Sequence, residues 1–172
     1  MAGSAFPPAS LTGVCPTDRF APSPSLGATI PAINPIYSIG IPEMDAQHAV
    51  WIALIHEFKS VAADELHNQE RVVAATRALD ELLNYTASHF ASEERLLARY
   101  GYPELESHRH QHQVLTAAVS RLRDQVNTMT NGNVPIKLDL LAAVWLLEHI
   151  TQDDLRYARF ILKRAPGAGY SG

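Results

Sequence analysis

At 172 residues, with 47% apolar and 19% charged residues, the chain is one domain plus some excess and is long enough to bury a core. A formal charge of -4 with no basic run argues against a nucleic-acid surface, and no apolar stretch reaches the length of a membrane span. The single cysteine, Cys15, excludes an intramolecular disulfide framework, and the start lacks a basic segment followed by an apolar one; both lead to the expectation of a soluble, cytoplasmic protein.

Residues 1–35 hold seven of the eleven prolines, with Gly, Ser and Ala between them and only Asp18 and Arg19 charged. Such a segment cannot pack a core and is expected to be a flexible Pro-rich extension. A four-helix bundle is expected over residues 36–165, with a short tail over 166–172. The first helix carries Met44, His48, Trp51, Ile55, Phe58 and Ala62 on one stripe. The second carries Val72, Ala75, Leu79, Leu82, Thr86, His89, Glu93 and Leu96. His108, His112, Leu115, Val119, Leu122, Val126 and Met129 mark the third, and Leu138, Ala142, Trp145 and His149 the fourth. Steps alternating between three and four residues give the inward seam of a left-handed bundle. Breaks fall at Asp64–Gln69, at Tyr100-Gly101-Tyr102-Pro103 and at Asn131-Gly132-Asn133-Val134-Pro135, where Gly, Asn, Pro or polar clusters stop and restart helices. No strand pattern competes. Short connections make the expected fold all-α, an up-down-up-down antiparallel bundle.

The seams also carry polar residues, and these point to chemistry. His48 stands in the first; His89 with Glu93 in the second; His108 with His112 in the third; His149, followed by Asp153 and Asp154, in the fourth. One seam histidine is more often a hydrogen-bonded core residue than a ligand, but five with two carboxylates must satisfy one another or a shared metal. At about 1.5 Å rise per residue, His89 and Glu93 lie roughly 12–18 Å before the turn at Gly101, and His108 and His112 roughly 10–16 Å beyond it. An antiparallel hairpin therefore sets the two pairs side by side. The i,i+4 spacing turns both members of each pair to one face. In the fourth helix the same spacing selects Asp153, while Asp154, at i+5, turns off the face of an ideal helix. A set of imidazoles and carboxylates without thiolate favours borderline metals, non-haem iron first, and seven ligands suit a pair of ions. His56, His67 and His110 are expected to be non-ligands; His110 sits two residues from each neighbouring ligand, about 200° around the helix.

The motifs I-G-I-P-E-M-D-A-Q-H ending at His48, H-F-A-S-E-E from His89, Y-G-Y-P, H-R-H-Q-H from His108 to His112, and W-L-L-E-H-I-T-Q-D-D ending at Asp154 together resemble the hemerythrin family in its bacterial single-domain form. The resemblance covers roughly residues 36–162 and implies the up-down-up-down four-helix bundle that myohemerythrin adopts. Ferritin-like diiron bundles would show ExxH pairs and more carboxylates. The resemblance implies two iron ions with an oxo or hydroxo bridge. His108, His112 and His149 would hold one and His48 and His89 the other, with Glu93 and Asp154 bridging. It selects Asp154 over Asp153, which requires a local distortion such as a π-bulge. It also implies reversible binding of dioxygen at an open position on the second iron, in an apolar pocket, and no enzymatic activity. Trp51, Phe90, Trp145, Leu146 and Ile150 are the candidate pocket residues. The family usually has Leu where Trp51 stands and Asn where His56 stands; the larger Trp51 would narrow access to the open iron.

Three functions fit these expectations. The first is a dioxygen carrier or store that delivers to an oxygen-consuming enzyme. The second is an oxygen or redox sensor signalling to a partner, with the Pro-rich segment as coupling element. The third is a diiron enzyme acting on peroxide or nitric oxide. The pocket sequence offers no obvious acid for turnover, and no kinase, cyclase or methyl-accepting domain accompanies the bundle, so the first is preferred.

Overall fold

A computed structural model describes residues 32–63, 68–128 and 144–169. Expectations concerning residues 1–31, the break over 64–67 with His67, the burial of Ala62, Met129, Leu138, Ala142, the break at 131–135 and residues 170–172 lie outside the described residues. The elements are a 3-10 turn at Pro35–Tyr37, α1 (Pro42–Ala63), α2 (Asn68–Arg99), α3 (Leu105–Asn127), α4 (144–164) and a final 3-10 turn at Pro166–Ala168. Among the described residues there is no strand, and no helix is long and apolar enough to cross a membrane. The four helices form the expected antiparallel bundle.

Local chemistry explains where the helices start and stop. Pro42 opens α1, where a missing N–H costs nothing, and Glu43 and Asp45 stand in its first turn, where the helix dipole favours negative charge. Asp45 is buried and gathers the incoming chain: its carboxylate accepts from Ser38 Oγ at 2.6 Å, the Ile39 N–H at 2.8 Å and the Gly40 N–H at 3.3 Å. Gly40 has φ of +82°, and a Cβ there would meet Leu162 Cδ1 of α4 at 3.4 Å. At the other end of the hairpin, Gly101 (φ +61°) terminates α2. The Tyr102 N–H bonds to the Leu97 carbonyl at 3.0 Å and the Gly101 N–H to that of Ala98 at 3.1 Å, the paired bonds of a Schellman motif.

The seams of the helices form the core much as their periodicity predicts, with two corrections, one in α2 and one in α4. Leu96 is only half-buried, and Leu97 is fully buried in its place. A helix of 3.6 residues per turn drifts from a strict three-four alternation, so the stripe takes a step of four after Glu93. In α4, Trp145 is 42% exposed and Leu146 1%. The buried arc there is set by Leu146, His149 and Ile150, and its centre lies about 90° around the helix from Trp145 at 100° per residue. The seam runs through Leu146.

Candidate metal centre

All four helices contribute to one buried polar layer. His48 comes from α1, His89 and Glu93 from α2, His108 and His112 from α3, and His149 and Asp154 from α4. None of the seven is more than 3% exposed. Their donor atoms fall into two groups, each within 4.8 Å: Glu93 with His108, His112 and His149, and His48 with His89, Glu93 and Asp154. Glu93 belongs to both. Its Oε2 lies 3.0 Å from His112 Nε2, 3.5 Å from His108 Nε2 and 3.9 Å from His89 Nε2. Asp154 spans the groups as well, with Oδ2 at 3.2 Å from His48 Nε2 and Oδ1 at 3.1 Å from His149 Nε2 and 3.6 Å from His108 Nε2.

The place of Asp154 depends on a change of helical period. Residues Ile150–Asp154 are π-helical, and the Leu155 N–H reaches back five residues to the Ile150 carbonyl. One additional residue in the turn brings the i+5 side chain round to the face that i+4 would occupy. Thr151 Oγ1 donates to the carbonyls of Leu147 and Glu148 at 3.0 and 3.3 Å, stabilising carbonyls beside the widened turn. Asp153 turns outward and lies 3.5 Å from the other nitrogen of His149, its Nδ1.

Three imidazoles have such an outer partner. Besides His149, His112 Nδ1 lies 2.8 Å from Glu94 Oε1, and His89 Nδ1 lies 3.0 Å from Gln47 Oε1. An acceptor on Nδ1 places the proton there and leaves Nε2 with a free lone pair directed inward. Sequence reading missed these partners, as it missed Tyr157, fully buried with its ring 5.5 Å from that of His108. Glu94 follows Glu93 directly and Gln47 precedes His48, but adjacency in sequence carries no information about which ring nitrogen a side chain meets.

The interior of the layer lacks internal satisfaction. Among the described residues, the Nε2 atoms of His48, His89 and His108, both oxygens of Glu93, both oxygens of Asp154 and the Tyr157 hydroxyl are buried without a hydrogen-bond partner. Buried polar atoms in native folds are almost always paired, and so many converging on one point fit a cationic guest. The electrostatics agree. Burial pushes His89 down to about 3, and burial also lowers His48, so both are neutral, the form that ligates metals. Burial works to raise Glu93, but the imidazoles of His108 and His112, whose Nε2 atoms approach Oε2, hold it well below the usual carboxylate range. Asp154 is raised well above it by burial and by the charge of Glu93. Two carboxylates this close do not both ionise without added positive charge, which a pair of divalent cations supplies.

Apolar side chains close one end. Trp51, Phe90, Leu146 and Ile150 are all buried. The Trp51 ring lies 4.9 Å from that of His89 and 5.4 Å from Phe90, and its Nε1 donates to Thr86 Oγ1 at 2.9 Å. Phe90 stacks on His112 with centroids 3.7 Å apart. The expected pocket residue Trp145 is instead at the surface, on the flank of α4 beside the seam. His56 and His110 are exposed, away from the layer.

The profile described as "Hemerythrin HHE cation binding domain" matches residues 39–161. A bacteriohemerythrin of Stenotrophomonas maltophilia is 31% identical over 121 residues, covering 70% of this chain and 74% of that protein. One from Pseudomonas aeruginosa is 31% identical over 118 residues, covering 69% and 72%. A hemerythrin-like protein of Naegleria gruberi is 26% identical over 121 residues, covering 70% and 85%. All seven candidate donors fall inside the matched span, and they are of the kind that a diiron centre requires. The chain belongs to the hemerythrin family, as a diiron, cation-binding four-helix domain.

Proposed function

We propose that the protein binds dioxygen reversibly and acts as a carrier, store or local supplier of it rather than as an enzyme. The carrying observation is the inequality of the two donor groups. Three histidines and Glu93 make one, while two histidines make the other with Glu93 and Asp154. In this reading His108, His112 and His149 would hold one iron and His48 and His89 the other, with Glu93 and Asp154 within reach of both. The bound pair would supply two one-electron redox centres, and the side with fewer imidazoles would be the one to accept a diatomic ligand. Residues 36–165 form the unit that does this.

The chain's own contribution is to fix donors and exclude water. Gln47, Glu94 and Asp153 orient imidazoles from outside, so that Nε2 rather than Nδ1 faces inward. Trp51 packs over the His48–His89 end and Phe90 lies between His89 and His112, replacing solvent with aromatic surface. Burial raises Tyr157 well above a phenol's ordinary value, and the charges of Glu93 and Asp154 add to this, so its hydroxyl keeps its proton near neutral pH. A wall of this kind offers no ready acid to drive ligand turnover, which favours reversible binding over peroxide or nitric oxide chemistry.

The deciding experiment is anaerobic reduction of the iron-loaded protein followed by cycles of air and argon. A visible absorption band that appears under air and is lost under argon over repeated cycles supports the reading. One-way oxidation, with no spectrum that returns, would reject it in favour of a sensor or enzyme.

A further inference from the structure

The outer partners of the histidines are unevenly distributed. On the three-histidine side, those of His112 and His149 are carboxylates. Glu94 meets His112 Nδ1 at 2.8 Å, and Asp153 approaches His149 Nδ1 at 3.5 Å. Each is held by an arginine: Arg109 Nε lies 3.2 Å from Glu94 Oε2, and Arg156 lies 3.8 Å from Asp153 Oδ1. On the two-histidine side, among the described residues, His89 Nδ1 meets the neutral amide of Gln47, at 3.0 Å, and His48 Nδ1 has no hydrogen-bond partner. A carboxylate accepting the Nδ1 proton makes the imidazole a more basic ligand at Nε2, whereas an amide does so much less.

We propose that Glu94 and Asp153 are positioning residues that make the two cation sites unequal, so that the His108–His112–His149 side holds its ion the more tightly. The inference rests on the two-ion reading of the donor layer, and goes beyond it by ranking the sites and assigning the cause to two residues that touch no metal. Both carboxylates are partly exposed and reach the ring nitrogens from the solvent side, so their charge can be removed without opening the core. Gln47 is a matching position on the opposite side, where charge can be added.

The test is anaerobic titration with ferrous iron in competition with a coloured chelator, which yields two stepwise dissociation constants without any use of dioxygen. Glu94→Gln and Asp153→Asn keep shape and an acceptor oxygen while removing charge. Each is expected to weaken the tighter step by roughly 10- to 100-fold and leave the weaker step nearly unchanged. Gln47→Glu is expected to do the reverse, tightening the weaker step and bringing the two constants together. Thermal unfolding of the metal-free variants, unchanged from the parent, separates this from a general loosening of the bundle. If both neutral variants bind iron like the parent, or if Gln47→Glu shifts the same step as Glu94→Gln, the proposal is overturned. A parent protein that takes up fewer than two ions overturns the two-ion reading itself, and the ranking with it; failure of reversible dioxygen binding alone touches neither.

Discussion

Deleting Gln152 should leave both the bundle and its iron intact, although it removes a residue from the middle of a helix. The reason is the π-helical turn at Ile150–Asp154, which contains one residue more than an α-helix needs. Removing exposed Gln152 allows the turn to close as ordinary α-helix, with the present Asp154 now four residues after His149, the spacing already used by His89–Glu93 and His108–His112. Everything beyond keeps its register: Tyr157, Ala158 and Ile161 stay buried. Deleting exposed Arg156 one turn later has no such slack. There the remaining helix must rotate by about 100° and shift by about 1.5 Å. That withdraws Tyr157 and Ile161 from the core, at about 1.5–3 kcal/mol each, or about 3–6 kcal/mol in all. At about 2–4 °C per kcal/mol for a chain of this size, the Arg156 deletion should lower Tm by about 6–24 °C. The Gln152 deletion should change it by no more than about 4 °C, equivalent to about 1 kcal/mol. Calorimetry of both variants, with iron counted by elemental analysis, is the assay. A Gln152 deletion that melts as early as the Arg156 deletion, or that loses iron, would refute the account of the π-turn as an absorbable insertion.

Three other outcomes follow from the same geometry. Glu93→Ala and Asp154→Ala should each bring iron below two per chain, whereas Asp153→Ala should keep both ions with affinity weakened roughly 10- to 100-fold; equal iron loss in all three, measured by elemental analysis, would make Asp153 a ligand. Trp51→Leu should speed azide binding to the oxidised protein several-fold at constant iron content, since the indole packs against the His89 ring, and Thr86→Val should do so more weakly by releasing the indole N–H; unaltered stopped-flow rates in both would make Trp51 ordinary core. Removing residues 1–31 should leave iron content and dioxygen affinity unchanged, because the approach to α1 is held by hydrogen bonds at Asn34 and Ser38, which the truncation keeps; a several-fold change in affinity would favour the sensor.

Much of this arrangement is legible in the sequence because ligands and core share the same helical stripe. His48, His89, Glu93, His108, His112 and His149 follow the spacing of the leucines and valines around them, and the structure brings all six together. Asp153 against Asp154 is a different kind of question. An i+4 or i+5 partner depends on whether the backbone accepts an extra residue, and that is decided by packing from three other helices, not by the local string. Trp145 and Leu146 show a similar limit: each is one turn before His149, and only the direction of the neighbouring helices decides which is covered. Gln47 and Glu94 carry no periodic signature, since their roles come from distances across helices; Tyr157 follows Ile150 and Asp154 on a stripe that becomes visible only once the seam of α4 is placed at Leu146.

The Asp45 carboxylate has a mechanical consequence. It grips three successive residues of the approaching chain, Ser38, Ile39 and Gly40, only three positions before His48, while Ile39 and Ile41 lie in the core against which Leu162 of the last helix packs. A pull applied upstream of Ser38 is therefore borne by this knot and shared with the last helix before it can displace the imidazole. The leash is fastened to the frame of the molecule and insulates the first donor from whatever the leading segment meets.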